Sequence, residues 1–437
     1  MTAPPEPVAH RRLGPRLARI RDSRLVRQNL ILFAGGFTAG LGGFVYHAVA
    51  GRVLGPAVYG EVASLVALYA VGTAGNLILL LVLARYAAAL MTADNEGGVG
   101  YLIRRSTRVI AIPAAVFVVL VAALSVPAAA FLKLSSPFPV IWLGLAVAAI
   151  WYAAIPRGVL QGMQRFPALS VNLGSEILVR TGILIVLLIF GLAVNGAMIA
   201  ILLGATFGYG LGMFSLRELL RVEPRQARLR TMLGFSLTAA AGTVGILLLY
   251  NLDVILAKHY LDAHGAGIYG ALNKIGTIVY FGTLSVSQVL FPRVVEAVAT
   301  NKHAVRLLLL SGGILAFLGG CALVVFALFS RLVVVLLFGE KFLDAQPYIL
   351  AVGLIGLGLS LDNLLIQFFM AVHDRVFVPI LAAACTLQVV LIVSHHGGVG
   401  DIVADVLIAV FCLFGALALR CAALAPKLRP EMVIEEL

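Results

Sequence analysis

Lys274 is a lone cation inside an apolar run, with Asn273, Thr277 and Tyr280 recurring around it at helical spacing. A Lys or Arg left in hydrocarbon costs about 2.5–3.5 kcal/mol on insertion scales, so it must face water, an anion or a carboxylate. Two readings follow. Lys274 either holds the anionic part of a substrate or gates its path, or it neutralises Asp253, which a hairpin turning near "LDAHGAG" brings to similar depth. Thr277, Phe281 and Gln288 continue the Lys274 stripe, and Tyr69, Thr73 and Asn76 form a comparable polar face elsewhere. Asn172, Glu176 and Arg180 repeat every four residues, and Glu four residues before Arg is the favourable order for a pair on one helix. That order predicts structural pairing of Glu176 with Arg180, with gating or ion coupling as the alternative. Asp362, near Asn363 and Gln367, fits ion coupling and packing against a bundle axis equally well.

The elements that carry these groups are membrane helices. Hydrophobic residues make up 61% of the 437 positions and charged ones 12%, well below the quarter usual in soluble domains. A pass needs about 20 mostly apolar residues. Twelve stretches qualify: 28–50, 61–84, 109–131, 138–156, 168–190, 196–216, 232–256, 267–291, 307–330, 346–371, 376–394 and 402–421. None shows the ten-residue alternation of a β-barrel. The expected fold class is an all-α polytopic membrane protein.

Of the 32 basic residues, 25 fall in one alternating set of connections and five in the other, with Arg180 and Lys274 inside helices. Arg157 is counted among the loop residues. Cytoplasmic loops retain positive charge, so both termini are expected in the cytoplasm. Arg52, Lys258, Arg85 and Arg293 lie at helix mouths, where snorkelling is the default and electrostatic gating the alternative. Most of the net charge of +12 is thereby topological and gives no reason to expect nucleic acid as a partner; the basic N-terminal segment reads as an orientation signal, with contact to anionic lipid as the alternative. Ala48 and Ala50 imitate a cleavage site, but the run before them is of transmembrane length and is read as retained.

The four cysteines lie in apolar segments without metal-type spacing, and phosphate loops, zinc motifs and nucleophile elbows do not occur. No catalytic residue and no metal site is expected, and the connections are too short for a catalytic domain. The chain does not read as an enzyme.

Tyr59-Gly60 and Tyr269-Gly270 end similar turns, Arg165 and Arg375 each follow a helix, and both pairs are 210 residues apart. This predicts a parallel repeat of two six-helix bundles. The expected layout is a basic segment 1–27, a first bundle 28–216, a basic linker 217–231, a second bundle 232–421 and a tail 422–437. Such halves suit a transporter whose central cavity opens to either side by rocking.

The stretches "AGRVLGPAVYGEVASLVAL", "IPRGVLQGMQRFPALS", "NLDVILAKHYLDAHGAGIYGALNKIGTIVYF", "VLFPRVVEA" and "LFGEKFLDAQPYI", in this order, resemble the oligosaccharide flippase (polysaccharide biosynthesis) branch of the multidrug/oligosaccharidyl-lipid/polysaccharide (MOP) exporter superfamily. The resemblance covers about residues 25 to 425. It implies a V-shaped pair of bundles with helices one, two, seven and eight lining the cavity, and movement of lipid-diphosphate-linked glycans to the outer leaflet of a bacterial cytoplasmic membrane. Membrane lipids and a polyprenyl-diphosphate glycan are the implied partners, with a polysaccharide polymerase or glycosyltransferases as further candidates. No cofactor is implied; the energy source is left between a Na⁺ gradient, an H⁺ gradient and membrane potential. Lys274, Asn76, Thr73, Tyr69, Asn273, Thr277, Gln288, Arg52, Lys258, Arg85 and Arg293 are the candidate substrate-binding positions. Asp253, Asp362, Glu176 and Arg180 are the candidates for gating or coupling. Two rivals stand beside this reading: a cation-coupled multidrug exporter, disfavoured because the first helix carries no carboxylate, and a non-transporting scaffold for polymer assembly.

Overall fold

Helix α1 (Pro15–Gly72) is interrupted at Gly55, where φ is 73° and ψ is 171°. A side chain is strained at that φ, so glycine serves there, and Pro56 pre-sets the backbone of the turn that resumes. His47 Nδ1 lies 3.0 Å from the Tyr59 hydroxyl. Twelve residues of straight helix would separate those positions by about 18 Å. The chain therefore folds back at Gly55, and the corner "GRVLGPAVYGE" joins two antiparallel arms.

The computed structural model describes residues 15–223, 233–299 and 304–424. Side chains at 15–30, 32–34, 77, 233–241, 243, 284–293, 295–299 and 304 also lie outside the described residues. Much of the basic N-terminal segment, the centre of the linker and the tail from 425 onward fall outside with them. After α1 come α2 (Ala74–Thr92), α3 (Glu96–Ala123), α4 (Ser125–Phe131), α5 (Phe138–Gly162), α6 (Phe166–Ile189), α7 (Ala193–Ser215) and the short α8 (Arg217–Arg221). The second half holds α9 (Leu233–Tyr260), α10 (Ala263–Ala299), α11 (Ala304–Leu337), a 3-10 helix (Glu340–Tyr348), α12 (Ile349–Ala371), α13 (Phe377–Ser394) and α14 (Val399–Leu424).

Among the described residues, every expected apolar stretch falls mainly on helix. Nine segments among the described residues are long and apolar enough to span a membrane, and the first contains the fold-back and so two passes. Helices α9 and α10 occupy the seventh and eighth stretches. The third pass differs from expectation. It begins at Glu96, where the Asn95 side chain accepts from the Gly98 amide at 2.8 Å, and it ends at Ala123 rather than running to 131. A turn at Leu124 sets α4 off as a separate element.

Helices α1 to α7 pack among themselves, with α5 against α7, α2 and α3, and α6 against α1 and α7. In the second half α12 packs on α10, α11 and α14, and α13 on α9 and α14. The halves meet through α1 and α2 against α9 and α10. One end of the molecule carries the corner at Gly55 together with Lys133, His259 and Gly339, and is called the corner end below. The opposite end gathers Arg104, Arg105, Arg165, Arg217, Arg221 and Arg375.

At the corner end the halves touch backbone to backbone. A Cβ on Gly60 would lie 2.9 Å from the Gly267 nitrogen, and one on Gly270 would lie 2.6 Å from Ala63 Cβ. A Cβ on Gly267 would fall on the Pro56 carbonyl oxygen. Gly51 lies against the Phe338 ring, where a Cβ would stand 2.6 Å from Cδ1. Tyr59, fully buried, packs its ring on Phe338 and Phe342 of the second half at 5.5 and 5.8 Å between centroids.

Candidate functional site

The first half builds its polar core from three helices. Asn172, Glu176 and Arg180 form a row along α6, and Gly204, Gly208 and Gly212 form a matching row of bare positions on α7. A Cβ on Gly204 would stand 2.7 Å from Arg180 Cβ, and one on Gly208 would stand 2.8 Å from Arg157 Nη2. Small residues spaced by four let helix backbones approach closely. The expected pair on α6 does not form. Glu176 bonds instead to Arg157 of α5, while Arg157 Nε donates to Asn172 Oδ1 at 2.8 Å. Arg157, counted as a loop residue from the sequence, is a buried residue of α5. Asn172 Nδ2 completes the network by donating to the Gly208 carbonyl at 2.7 Å.

Arg180 is thereby left without a carboxylate. Its guanidinium lies 4.2 Å from the centroid of the Tyr46 ring and 6.0 Å from that of Tyr69, and its Nε is buried with no hydrogen-bond partner. The Tyr46 hydroxyl donates to the Ala197 carbonyl at 2.8 Å, which fixes the ring beneath the cation. Cation–π contact of this kind contributes about 0.5–2 kcal/mol, more as water is excluded.

In the second half, Lys274 of α10 is 8% exposed and its Nζ lies 5.6 Å from the Tyr250 ring centroid. The direct ion pair with Asp253 is absent. Asp253 Oδ2 accepts from the Tyr269 hydroxyl at 2.6 Å and from Asn273 Nδ2 at 3.1 Å, while its Oδ1 is buried without a partner. A hydroxyl and an amide on α10 satisfy one oxygen of the carboxylate, and the Lys charge acts on it only at longer range. Asn273 also donates to the Tyr250 carbonyl at 3.2 Å, tying α9 to α10. Asp253, Tyr250, Tyr269 and Asn273 line a small cavity of about 20 Å³, room for one water, bounded also by α12 and α14.

His47 is the residue between the two cations. It is buried, bonded to Tyr59, and within electrostatic reach of both Lys274 and Arg180. Each half thus contributes one cation within electrostatic reach of His47 of α1, and each lies over a tyrosine ring. Such a pair of cations suits a multiply charged anion and repels a cationic solute.

The remaining sequence-based candidates fall elsewhere. Thr73 Oγ1 bonds the Ala70 carbonyl at 2.6 Å at the turn before α2, and Asn76 Oδ1 is buried without a partner. Thr277 Oγ1 turns back to the Asn273 carbonyl at 2.8 Å. Arg52 reaches across the corner end to the carbonyls of Val335 and Leu336, the last turn of α11. Lys258 is buried at that end, within electrostatic reach of Glu61 and Lys133. Arg85 is exposed toward the arginine-rich end. Asp362 is 1% exposed and neither of its oxygens has a partner. Gln288 and Arg293 lie on α10, with side chains outside the described residues.

A family model described as polysaccharide biosynthesis protein matches residues 25–298. The chain belongs to the polysaccharide biosynthesis protein family. Among curated proteins none matches the sequence. Solved structures share the fold at low identity. A multidrug resistance MATE family transporter of the MOP superfamily, in an inward-facing conformation, is 14% identical with a TM-score of 0.73, covering 89% of this chain and 96% of its own. The eukaryotic MATE transporter AtDTX14 is 13% identical with a TM-score of 0.66, over 93% and 99%. A MOP superfamily transporter from Pyrococcus furiosus Vc1, described as having a binding pocket of reverse polarity, is 14% identical with a TM-score of 0.61, over 92% and 95%. The polytopic, MATE-like helical fold is therefore established.

Sequence reasoning missed Tyr46, His47, Tyr250 and Arg157 in this polysaccharide biosynthesis protein. The glycines of α7 carried the missing signal: their spacing of four copies that of Asn172, Glu176 and Arg180. His47 had a simpler one, as the lone histidine of the first apolar stretch.

Proposed function

We propose that this membrane transporter moves a lipid-diphosphate-linked oligosaccharide across the bilayer by alternating access. The observation that carries the proposal is the pair of intramembrane cations, Arg180 and Lys274, contributed by opposite halves, both within electrostatic reach of His47 and neither paired with a carboxylate. A diphosphate carries charge for more than one cation, and charge-assisted bonds are roughly twice as strong as neutral ones. The rings of Tyr46, Tyr69, Tyr250 and Tyr280 and the amides of Asn76 and Asn273 supply stacking faces and hydrogen bonds suited to sugars. In this reading the glycine joint keeps the corner end shut while substrate enters from the arginine-rich end. The basic-residue bias supports placing that end in the cytoplasm.

Reconstitution tests the proposal. Purified protein in liposomes with a fluorescent undecaprenyl-diphosphate oligosaccharide is expected to speed access of an impermeant quencher to the label. Lys274→Ala, Arg180→Ala and Asn76→Ala are expected to slow it, the two cation variants by about tenfold or more, as loss of one charge-assisted contact implies. A rate equal to that of empty liposomes across several glycans, with expulsion of a cationic dye under an ion gradient, sinks the flippase reading and favours a drug exporter.

A further inference from the structure

We infer that Arg157 is a positioning residue for the anion site: by holding Glu176, it keeps the charge of Arg180 available to the diphosphate of the substrate. The inference rests on reading the two cations as a lipid-diphosphate site.

Glu176 has two cations within reach. Arg180 is one helical turn away on the same face of α6, the usual geometry of an i, i+4 pair. Arg157 approaches from α5 and wins. Its guanidinium is held at two points, by the Glu176 carboxylate and by Asn172 Oδ1, and Asn172 is itself anchored to the Gly208 carbonyl. The side chains of the pair are only 5% and 12% exposed, so the contact is little screened by solvent. Gly208 supplies the room, since a methyl there would press on Arg157 Nη2 at 2.8 Å and stand 3.4 Å from Glu176 Oε2. Arg180, with no carboxylate of its own, settles over Tyr46.

Removing one member of a buried pair leaves the other charge uncompensated, which is strongly unfavourable. If Arg157 is lost, Glu176 turns to Arg180 and neutralises it. If Glu176 is lost, Arg180 stays free. A pair that only braces α5 against α6 would respond equally to either loss. A positioning pair responds unequally.

The test uses the full chain in nanodiscs with farnesyl diphosphate as the probe, read by thermophoresis. Arg157→Gln is expected to weaken binding about tenfold, matching Arg180→Gln, as one lost charge-assisted contact implies. Glu176→Gln is expected to bind within about twofold of wild type, and Arg157→Gln with Glu176→Gln to recover that level, since neither leaves a carboxylate to neutralise Arg180. Equal loss in the two single variants, or no recovery in the double variant, overturns the positioning role while a loss in Arg180→Gln leaves the anion-site reading standing. Wild-type binding by Arg180→Gln overturns both. Should Arg157→Gln not fold, Gly208→Ala replaces it. That methyl displaces the pair with both charges still present. Loss of binding there, set against retention by Glu176→Gln, supports the positioning role, and retention in both overturns it.

Discussion

Gly267 of α10 lies so close against Pro56 of α1 that a Cβ on it would overlap the Pro56 carbonyl oxygen. Gly60 returns the approach from the other side, 2.9 Å from the Gly267 nitrogen once given a Cβ. The repeat-related turns of the sequence are therefore each other's partners, and the corner end is sealed by main chain on main chain.

Gly267→Ala is expected to prop this joint open. In a background lacking the native cysteines, a cysteine replacing Ala266, which is 3% exposed in the joint, should react slowly with an impermeant maleimide. Adding Gly267→Ala should raise that rate by about tenfold, the population change that about 1.4 kcal/mol produces. An unchanged rate would show that the joint does not control access.

Arg52 should act in the same direction but more weakly. It supplies donors to the last carbonyls of α11, where a cation contributes about 0.3–1 kcal/mol at low salt. Arg52→Ala is expected to raise labelling of the same cysteine about two- to fivefold at low ionic strength and hardly at all at 1 M salt. A salt-independent effect would point to packing rather than charge.

The ring beneath Arg180 can be separated from the hydroxyl that holds it. Tyr46→Phe keeps the ring and should bind farnesyl diphosphate within a few-fold of wild type. Tyr46→Leu removes a cation–π contact of about 1 kcal/mol and lets the guanidinium wander, for a loss of roughly fivefold. Equal affinities for the two variants would exclude the ring from the site.

Asp362 is buried with neither oxygen bonded, so its carboxyl group costs stability rather than providing it. Asp362→Leu is expected to leave the thermal midpoint unchanged or raise it, and any loss of transport would then reflect function. A lower midpoint would reveal a packing role.

Asp374, in the connection between α12 and α13, gives a pH signature. Burial acts to raise its pKa, but hydrogen bonds from Arg420 and from the Val376 amide outweigh that and hold it below the usual carboxylate range. A depressed folded value stabilises above the unfolded pKa of about 3.9 and loses the contribution as pH falls through the folded one. Arg420→Gln should therefore lower the thermal midpoint at pH 7, with the gap to wild type closing below about pH 4. A gap that keeps its size as pH falls through the carboxylate range would assign the effect to packing.

The spacing of apolar runs was enough to place the passes, because helix length across a bilayer is fixed by rise per residue. The 210-residue repeat located both turns, though only the packed structure shows Gly60 against Gly267. Partner choice was not legible. Spacing on α6 offers Arg180 to Glu176, yet the competing cation arrives from α5 at a distance that depends on Gly208. Depth arithmetic brings Asp253 and Lys274 near one another, but Tyr269 and Asn273 occupy the carboxylate. The third pass was misjudged at its end because the apolar run continues through the turn at Leu124, and Ser125 and Pro127, which mark the break, lie inside the single span expected there.

The break in α1 occupies one residue, with helix resuming at Pro56. A corner with no slack behaves as a crank: when the first arm swings, the second must turn with it, and neither can drift alone within the bilayer. Motion at the arginine-rich end is thereby delivered to Tyr59 and the glycine joint without passing through any flexible loop.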